Sequence, residues 1–188
     1  MPITFESSKT YSGVGAILLT IGIIIPVIGI IGIILLLIGL KGFADYYQDS
    51  EMLKNTFYGF LFGILGNFLF SVMTLTYIPA LVFTIISRII TSPIEGVIEF
   101  ASQFLIDLII IIAIMLVLFS LENIFFKKTL HALAIGTGKK IFNTAGLLLL
   151  IGAVLTIVVI GFLILLIAWL VTAIAIFSLK PSTETTQS

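Results

Sequence analysis

The chain has 188 residues, 60% of them hydrophobic and 10% charged, with a mean hydropathy of +1.33. Soluble globular proteins carry charge on about a quarter of their residues, so this composition excludes that class and predicts an integral membrane protein. Nine cations balance nine acids, which leaves no basic footprint for nucleic acid. The lack of cysteine removes disulfides, thiolate metal sites and thiol catalysis together.

Residues 1–12 form a polar N-terminal tail with a single lysine, Lys9. The apolar stretch that follows is too long for a secretory signal and lacks a small-residue cleavage site, so it is expected to remain in the mature protein. A first apolar territory, Thr10 to Leu40, lies between Lys9 and Lys41. Pro26 interrupts it, because proline cannot continue the hydrogen-bond ladder and disfavours helical geometry at Ile25. With Gly29 close behind, this predicts an N-terminal hairpin over residues 13–47.

The second territory runs from Asn55 to Ser87, and Pro79 is expected to end a span that starts near Leu53 and reaches Tyr77. Residues 79–92 are then too short to cross and read as an interfacial or re-entrant piece. A third helix is predicted to start at Ser92-Pro93-Ile94-Glu95, where serine can cap, proline suits the first position and glutamate completes a capping box. Continued to about Phe126, it makes residues 53–126 two central spans. The stretch Asn123 to Lys140 interleaves Phe125, Phe126, Leu130 and Leu133 with four lysines and His131. That mixture suits a helix or loop on the membrane surface with its lysines toward anionic headgroups, or a binding site for another protein.

No side chain from Ile141 to Leu179 is ionisable. As one helix this run would be roughly 58 Å long, about twice the thickness a single span crosses. It is therefore expected to enter and return as a C-terminal hairpin over residues 141–179, bending near Gly161, with residues 180–188 as a polar tail. Counting cations separates two topologies. Four single spans divide them three (Lys9, Arg88, Lys180) against six (Lys41, Lys54, Lys127, Lys128, Lys139, Lys140), whereas two terminal hairpins leave Arg88 alone opposite the other eight. The positive-inside rule prefers the second division, with both termini cytoplasmic. The expected fold is thus an all-α integral membrane helical bundle of about six membrane-embedded helices, with the four-span arrangement as the alternative. The arms of the first hairpin, about 24 Å and 21 Å long, are short for full crossings, and re-entrant arms would return to the same face.

Small residues recur at helical spacing. Gly15, Gly22 and Gly29 are seven apart, Gly161, Ala168 and Ala175 repeat that spacing, and Gly59 with Gly63 forms a GxxxG pair. Small faces let helix backbones approach closely in lipid, either within one chain or along a homo-oligomer seam. The two terminal territories also end alike, Leu35 to Gly39 against Leu165 to Ala168, as a degenerate repeat would.

One polar constellation stands out: Glu95, Glu99, Gln103 and Asp107, each four residues after the last. On one helix they form a slowly spiralling stripe that starts in water and runs inward to Asp107, which a cation or proton could follow. The alternative is a helix whose first turns are simply solvated, with Asp107 near the headgroups and Arg88 as its partner. Other motifs fail on chemistry. Gly136-Thr137-Gly138-Lys139 has Leu133 where a phosphate loop needs its earlier glycine and Lys140 where it needs Ser or Thr. His131 is the only histidine, and in a loop beside Lys127 and Lys128 it would be solvated rather than a metal or haem ligand. No cofactor or metal set is predicted. Tyr11, Tyr46, Tyr47, Tyr58 and Tyr77 lie near predicted span ends, as interfacial anchors would, while Trp169 lies in mid-arm.

The strings Tyr11-Ser-Gly-Val-Gly-Ala-Ile-Leu-Leu, Ile38-Gly-Leu-Lys-Gly-Phe-Ala-Asp-Tyr-Tyr47, Leu133-Ala with Thr137-Gly138, and Thr144 to Ala153 through Ile167-Ala-Trp-Leu170 resemble an archaeal family of small multi-pass membrane proteins of unassigned function. The resemblance covers most of the chain outside Pro79 to Gln103. It implies an archaeal plasma membrane protein and brings no catalytic or binding residues. The expected role is therefore a non-enzymatic structural or accessory subunit that works by helix packing in the lipid bilayer, as a homo-oligomer or in a larger membrane complex. A small transporter or channel for a cation, proton or small solute is the alternative.

Overall fold

Local signals divide the chain into helices. Thr4 caps the first, its Oγ1 accepting the Ser7 N–H at 3.2 Å, and α1 runs Phe5–Gly22. Ile25, in extended geometry, precedes Pro26, which opens α2, Pro26–Tyr47, where its missing N–H costs nothing. Gln48 then takes the left-handed conformation (φ 52°) that closes α2. Asp49 accepts the Met52 N–H at 2.9 Å and starts α3, Ser50–Thr91. Next come α4, Ile94–Thr137, α5, Ile141–Val154, a 3-10 turn at Leu155–Ile157, and α6, Ile160–Phe177. Gly138, at φ 69°, separates α4 from α5 in the left-handed conformation that glycine adopts without a Cβ penalty. The computed structural model describes residues 4–91, 94–158 and 160–181, and all regular structure among them is helical. Four stretches are long and apolar enough to cross a membrane: Val27–Tyr47, Ser50–Ser87, Ser102–Thr137 and Ile160–Phe177.

The chain forms two compact units, Met1–Leu61 with Ser120–Ser188, and Phe62–Phe119. In the first unit α1 packs on α2, α5 on α6, and α1 on α6. Its core holds Ala16, Leu36, Leu40, Phe43, Phe142, Leu149 and Ile176. Trp169, the mid-arm exception to interfacial placement, is buried edge-on to Phe126 with ring centroids 5.5 Å apart. In the second unit the described parts of α3 and α4 leave large apolar side chains open on many sides, Leu75 and Phe83 among the most exposed.

Several sequence expectations are corrected. The polar N-terminal tail is helical from Phe5, because Phe5 is buried against Phe43 and Tyr46 at centroid distances of 5.4 and 4.9 Å and Ser8 and Ser12 face the core. Pro79 does not end a helix, since α3 continues through it to Thr91. Proline removes one bond of the ladder locally, and nothing around it supplies a second stop signal. The stretch Asn123 to Lys140 is not a separate surface segment up to Thr137 but the last turns of α4. Asn123, Phe126, Thr129, Leu130, Leu133 and Ala134 are buried there at helical spacing, and the backbone first breaks at Gly138. His131 consequently stands on a helix rather than in a loop, although it is exposed. The capping signal at Ser92-Pro93 lies outside the described residues.

Each hairpin is centred on its turn. Gly22 meets Gly29, Gly15 meets Leu36 and Ser12 meets Gly39, all with midpoints at Ile25–Pro26. Lys139 with Ser178 and Gly152 with Leu165 have midpoints just after Val158. A Cβ on Gly161 would overlap the Leu155 and Thr156 backbone, so the chain reverses immediately before that glycine.

Candidate functional site

Within the second unit, the one described interhelical polar cluster is built on Asp107. Tyr77 of α3 donates its hydroxyl to Asp107 Oδ2 at 2.7 Å, and Gln103, one turn earlier on α4, donates Nε2–H to Oδ1 at 3.0 Å. Both carboxylate oxygens thus accept a hydrogen bond, one from each helix. The Phe104 ring lies 6.0 Å from that of Tyr77. Beside them Met73, Leu81, Leu108 and Met115 line an apolar crevice of about 220 Å³. Of the predicted stripe, Gln103 and Asp107 are therefore in contact, whereas the side chains of Glu95 and Glu99 lie outside the described residues, as does that of Arg88. Asn67 of α3 bonds back to the Gly63 carbonyl at 2.9 Å within its own helix.

Sequence reading missed Tyr77 as the partner of Asp107. In the first unit α3 and α4 are also joined by Thr56 and Thr129, whose buried hydroxyls meet at 3.2 Å.

Small residues of the first unit form its closest helix contacts. A Cβ on Gly15 would lie 2.5 Å from the Leu36 N and 2.8 Å from the Gly32 carbonyl oxygen, and one on Gly22 would overlap Gly29. Gly39 abuts Ser12 and Ser8 so closely that the Ser12 hydroxyl is buried without a hydrogen-bond partner. On α3, a Cβ on Gly59 would touch the Phe126 ring at 3.3 Å. Gly63 is buried.

Most of the charge in the first unit collects at one end, with Glu122 on α4 away from it. Lys9, Lys41, Asp45, Asp49, Glu51, Lys139, Lys140 and Lys180 flank helix termini that converge there. Several contacts close that end: Lys139 Nζ donates to the Ser178 carbonyl at 2.5 Å and to its Oγ at 2.8 Å. His131 Nδ1 and Asn143 Oδ1 are 2.8 Å apart, joining α4 to α5. A lysine on the last carbonyls of α6 also complements the negative end of its dipole. The opposite turns, Ile23–Ile25 and Leu155–Val158, carry no charge, and the Thr156 hydroxyl is occupied by the Ala153 carbonyl at 2.6 Å. Among the described residues no group of three or more His, Cys, Asp or Glu is placed to hold a metal ion.

A family model described as "Protein of unknown function (DUF996)" matches residues 28–170. The chain is also similar to an archaeal relative, the uncharacterized protein MJ1644 of Methanocaldococcus jannaschii. The two are 26% identical over 175 residues, spanning 93% of this chain and 92% of that one. No solved structure matches.

Proposed function

The chain belongs to the DUF996 family, and from its helices and their contacts we propose a multi-pass plasma membrane protein that acts as a non-enzymatic structural or accessory subunit through helix packing. All six helices are embedded. α3 and α4, at 42 and 44 residues about 63 and 66 Å long, are the central spans and project beyond a ~30 Å hydrocarbon layer. The α1–α2 and α5–α6 pairs are hairpins that leave from and return to the cytoplasmic face, where both termini lie. Uncharged turns opposite the charged end support this, because a tip of Ile23–Ile25 or Leu155–Val158 gains nothing from reaching water. At 14 residues, α5 is about 21 Å long and stops short of the far side of a ~30 Å hydrocarbon layer.

The observation that carries the subunit role is the apolar surface of the second unit, where Phe68, Leu75, Phe83 and Ile109 are each more than 60% exposed. Lipid, a second copy or a larger membrane assembly would cover it. Gentle purification followed by mass measurement of the intact particle tests this reading. A homo-oligomer or a discrete heteromeric complex is the expected result, and a bare monomer would overturn the subunit role. Cysteines placed at positions 9, 41, 140 and 180 of this cysteine-free chain should all resist impermeant maleimide added outside intact cells. Labelling of one pair, 9 with 180 or 41 with 140, with protection of the other would instead establish four single spans.

Transport by way of Asp107 is the competing reading. Occupation of both carboxylate oxygens by Tyr77 and Gln103 favours a helix-to-helix tie over a free relay group. If cells expressing Asp107→Asn and Asp107→Leu differ in flux of a cation or proton while both proteins fold, transport gains the argument.

A further inference from the structure

We infer that the charged end of the first unit holds a site for a single anionic membrane lipid, in the groove formed by Lys127, Lys128 and His131 of α4. The inference rests on the membrane reading above. Positions 124, 127, 128, 131 and 135 share one face of α4 and line a groove of about 680 Å³, closed by Tyr47 and Asp49 on one side and Leu150 of α5 on another. That volume falls within the range of sites for small organic ligands, roughly 300–1,000 Å³.

Neither Lys127 nor Lys128 takes part in an ion pair among the described residues. The groove's one carboxylate, Asp49, accepts the Met52 N–H at the start of α3 and is outnumbered by the two ammonium groups. The Lys127 stem is laid on apolar surface: a Cβ on Gly146 would meet its Cα and Cγ at 3.2 Å, so α5 rests on it, and an amphipathic side chain held this way keeps its ammonium at the polar boundary. The Lys128 ammonium itself lies over the Phe125 ring, 5.3 Å from its centre, a cation–π contact that leaves it positively charged. The His131 ring, tied to Asn143, lines the same groove.

Along the same face the groove passes from these cations to Ile124 and Leu150, toward the uncharged end. An ammonium pair above an apolar wall matches a phosphodiester headgroup with its hydrocarbon chain below. A free phosphate would use the first feature and leave the second without purpose.

The test is retention of lipid by the full chain in detergent, measured by native mass spectrometry with phosphatidylglycerol and phosphatidylcholine as probes. Preferential retention of one phosphatidylglycerol is expected, and Lys127→Gln/Lys128→Gln should weaken it roughly thirtyfold, from about 1 kcal/mol per lysine. Lys140→Gln/Lys180→Gln removes the same charge from the same end outside the groove and should weaken it less than about twofold. Equal losses in the two double variants would mean general surface attraction, and equal binding of phosphatidylcholine would mean no headgroup selection; either overturns the site. Displacement of the lipid by inorganic phosphate at constant ionic strength would overturn the lipid assignment in favour of a phosphate site. If the double variant at 127 and 128 does not fold, Leu150→Glu, which places an acid in the chain-binding wall, should abolish retention while His131→Asn lowers it. Recovery of the wild-type protein in water without detergent would overturn the membrane reading itself, an outcome distinct from failure of the site.

Discussion

In the first unit several glycines are pressed against a neighbouring helix backbone, and in the second Gly66 is not. A Cβ on Gly15 runs into the α2 backbone at 2.5 Å, whereas one on Gly66 finds only Leu118 Cβ, at the ordinary contact distance of 3.9 Å. The apolar windows differ in the same way: those of Val27–Tyr47 and Ile160–Phe177 are 44% buried within the chain, and those of Ser50–Ser87 and Ser102–Thr137 are not buried at all. Similar hydropathy therefore leads to two outcomes. Where glycine and serine let helices approach to backbone contact, the chain covers its own apolar surface; along α3 and α4 it leaves that surface exposed.

The sharpest way to break that contrast is substitution at the glycines. Gly15→Leu must separate α1 from α2 along rigid backbone and should cost about 3 kcal/mol or more, read as a drop in thermal midpoint in detergent. If it melts with the wild type, the α1–α2 contact is not what holds the first unit. Next is the Asp107 tie. A double-mutant cycle between Tyr77→Phe and Asp107→Leu should show a coupling of about 0.6–1.7 kcal/mol, the range for hydrogen bonds between membrane helices. Zero coupling would leave the two helices of the second unit without a polar clasp. Gly66→Ala, by contrast, should change stability by less than about 0.5 kcal/mol, and a loss as large as that at Gly15 would erase the distinction between the units. Smallest of all is Ser12→Ala, which removes a buried hydroxyl that has no partner and should be neutral or slightly stabilising. Clear destabilisation would indicate that the hydroxyl is satisfied after all.

The terminal elements were readable to different degrees. Pro26 and the glycines at seven-residue spacing marked the first turn and the face of closest approach, because both act through local backbone chemistry. Pro79 misled for the same reason. Its local effect is identical to that of Pro26, but Ile23–Ile25 leave the helical ladder while the residues around Pro79 stay in it. Likewise the lysines of Asn123 to Lys140 looked like a surface segment, since their periodicity competes with a buried face carried by Thr129, Leu130 and Leu133. Of the polar stripe, the i to i+4 contact of Gln103 with Asp107 was visible in the spacing. The Tyr77 contact needed the register of two distant helices.

What the sequence by itself determined was the helical content of the chain and the presence of stretches long and apolar enough to cross a membrane, because apolar transfer and backbone propensity act residue by residue. Tertiary structure alone decided which small residues meet, that Asp107 is held from both sides, and that Lys127 and Lys128 open into one groove with His131. Those outcomes depend on how separated helices align, which fixes interatomic distances that no local preference encodes.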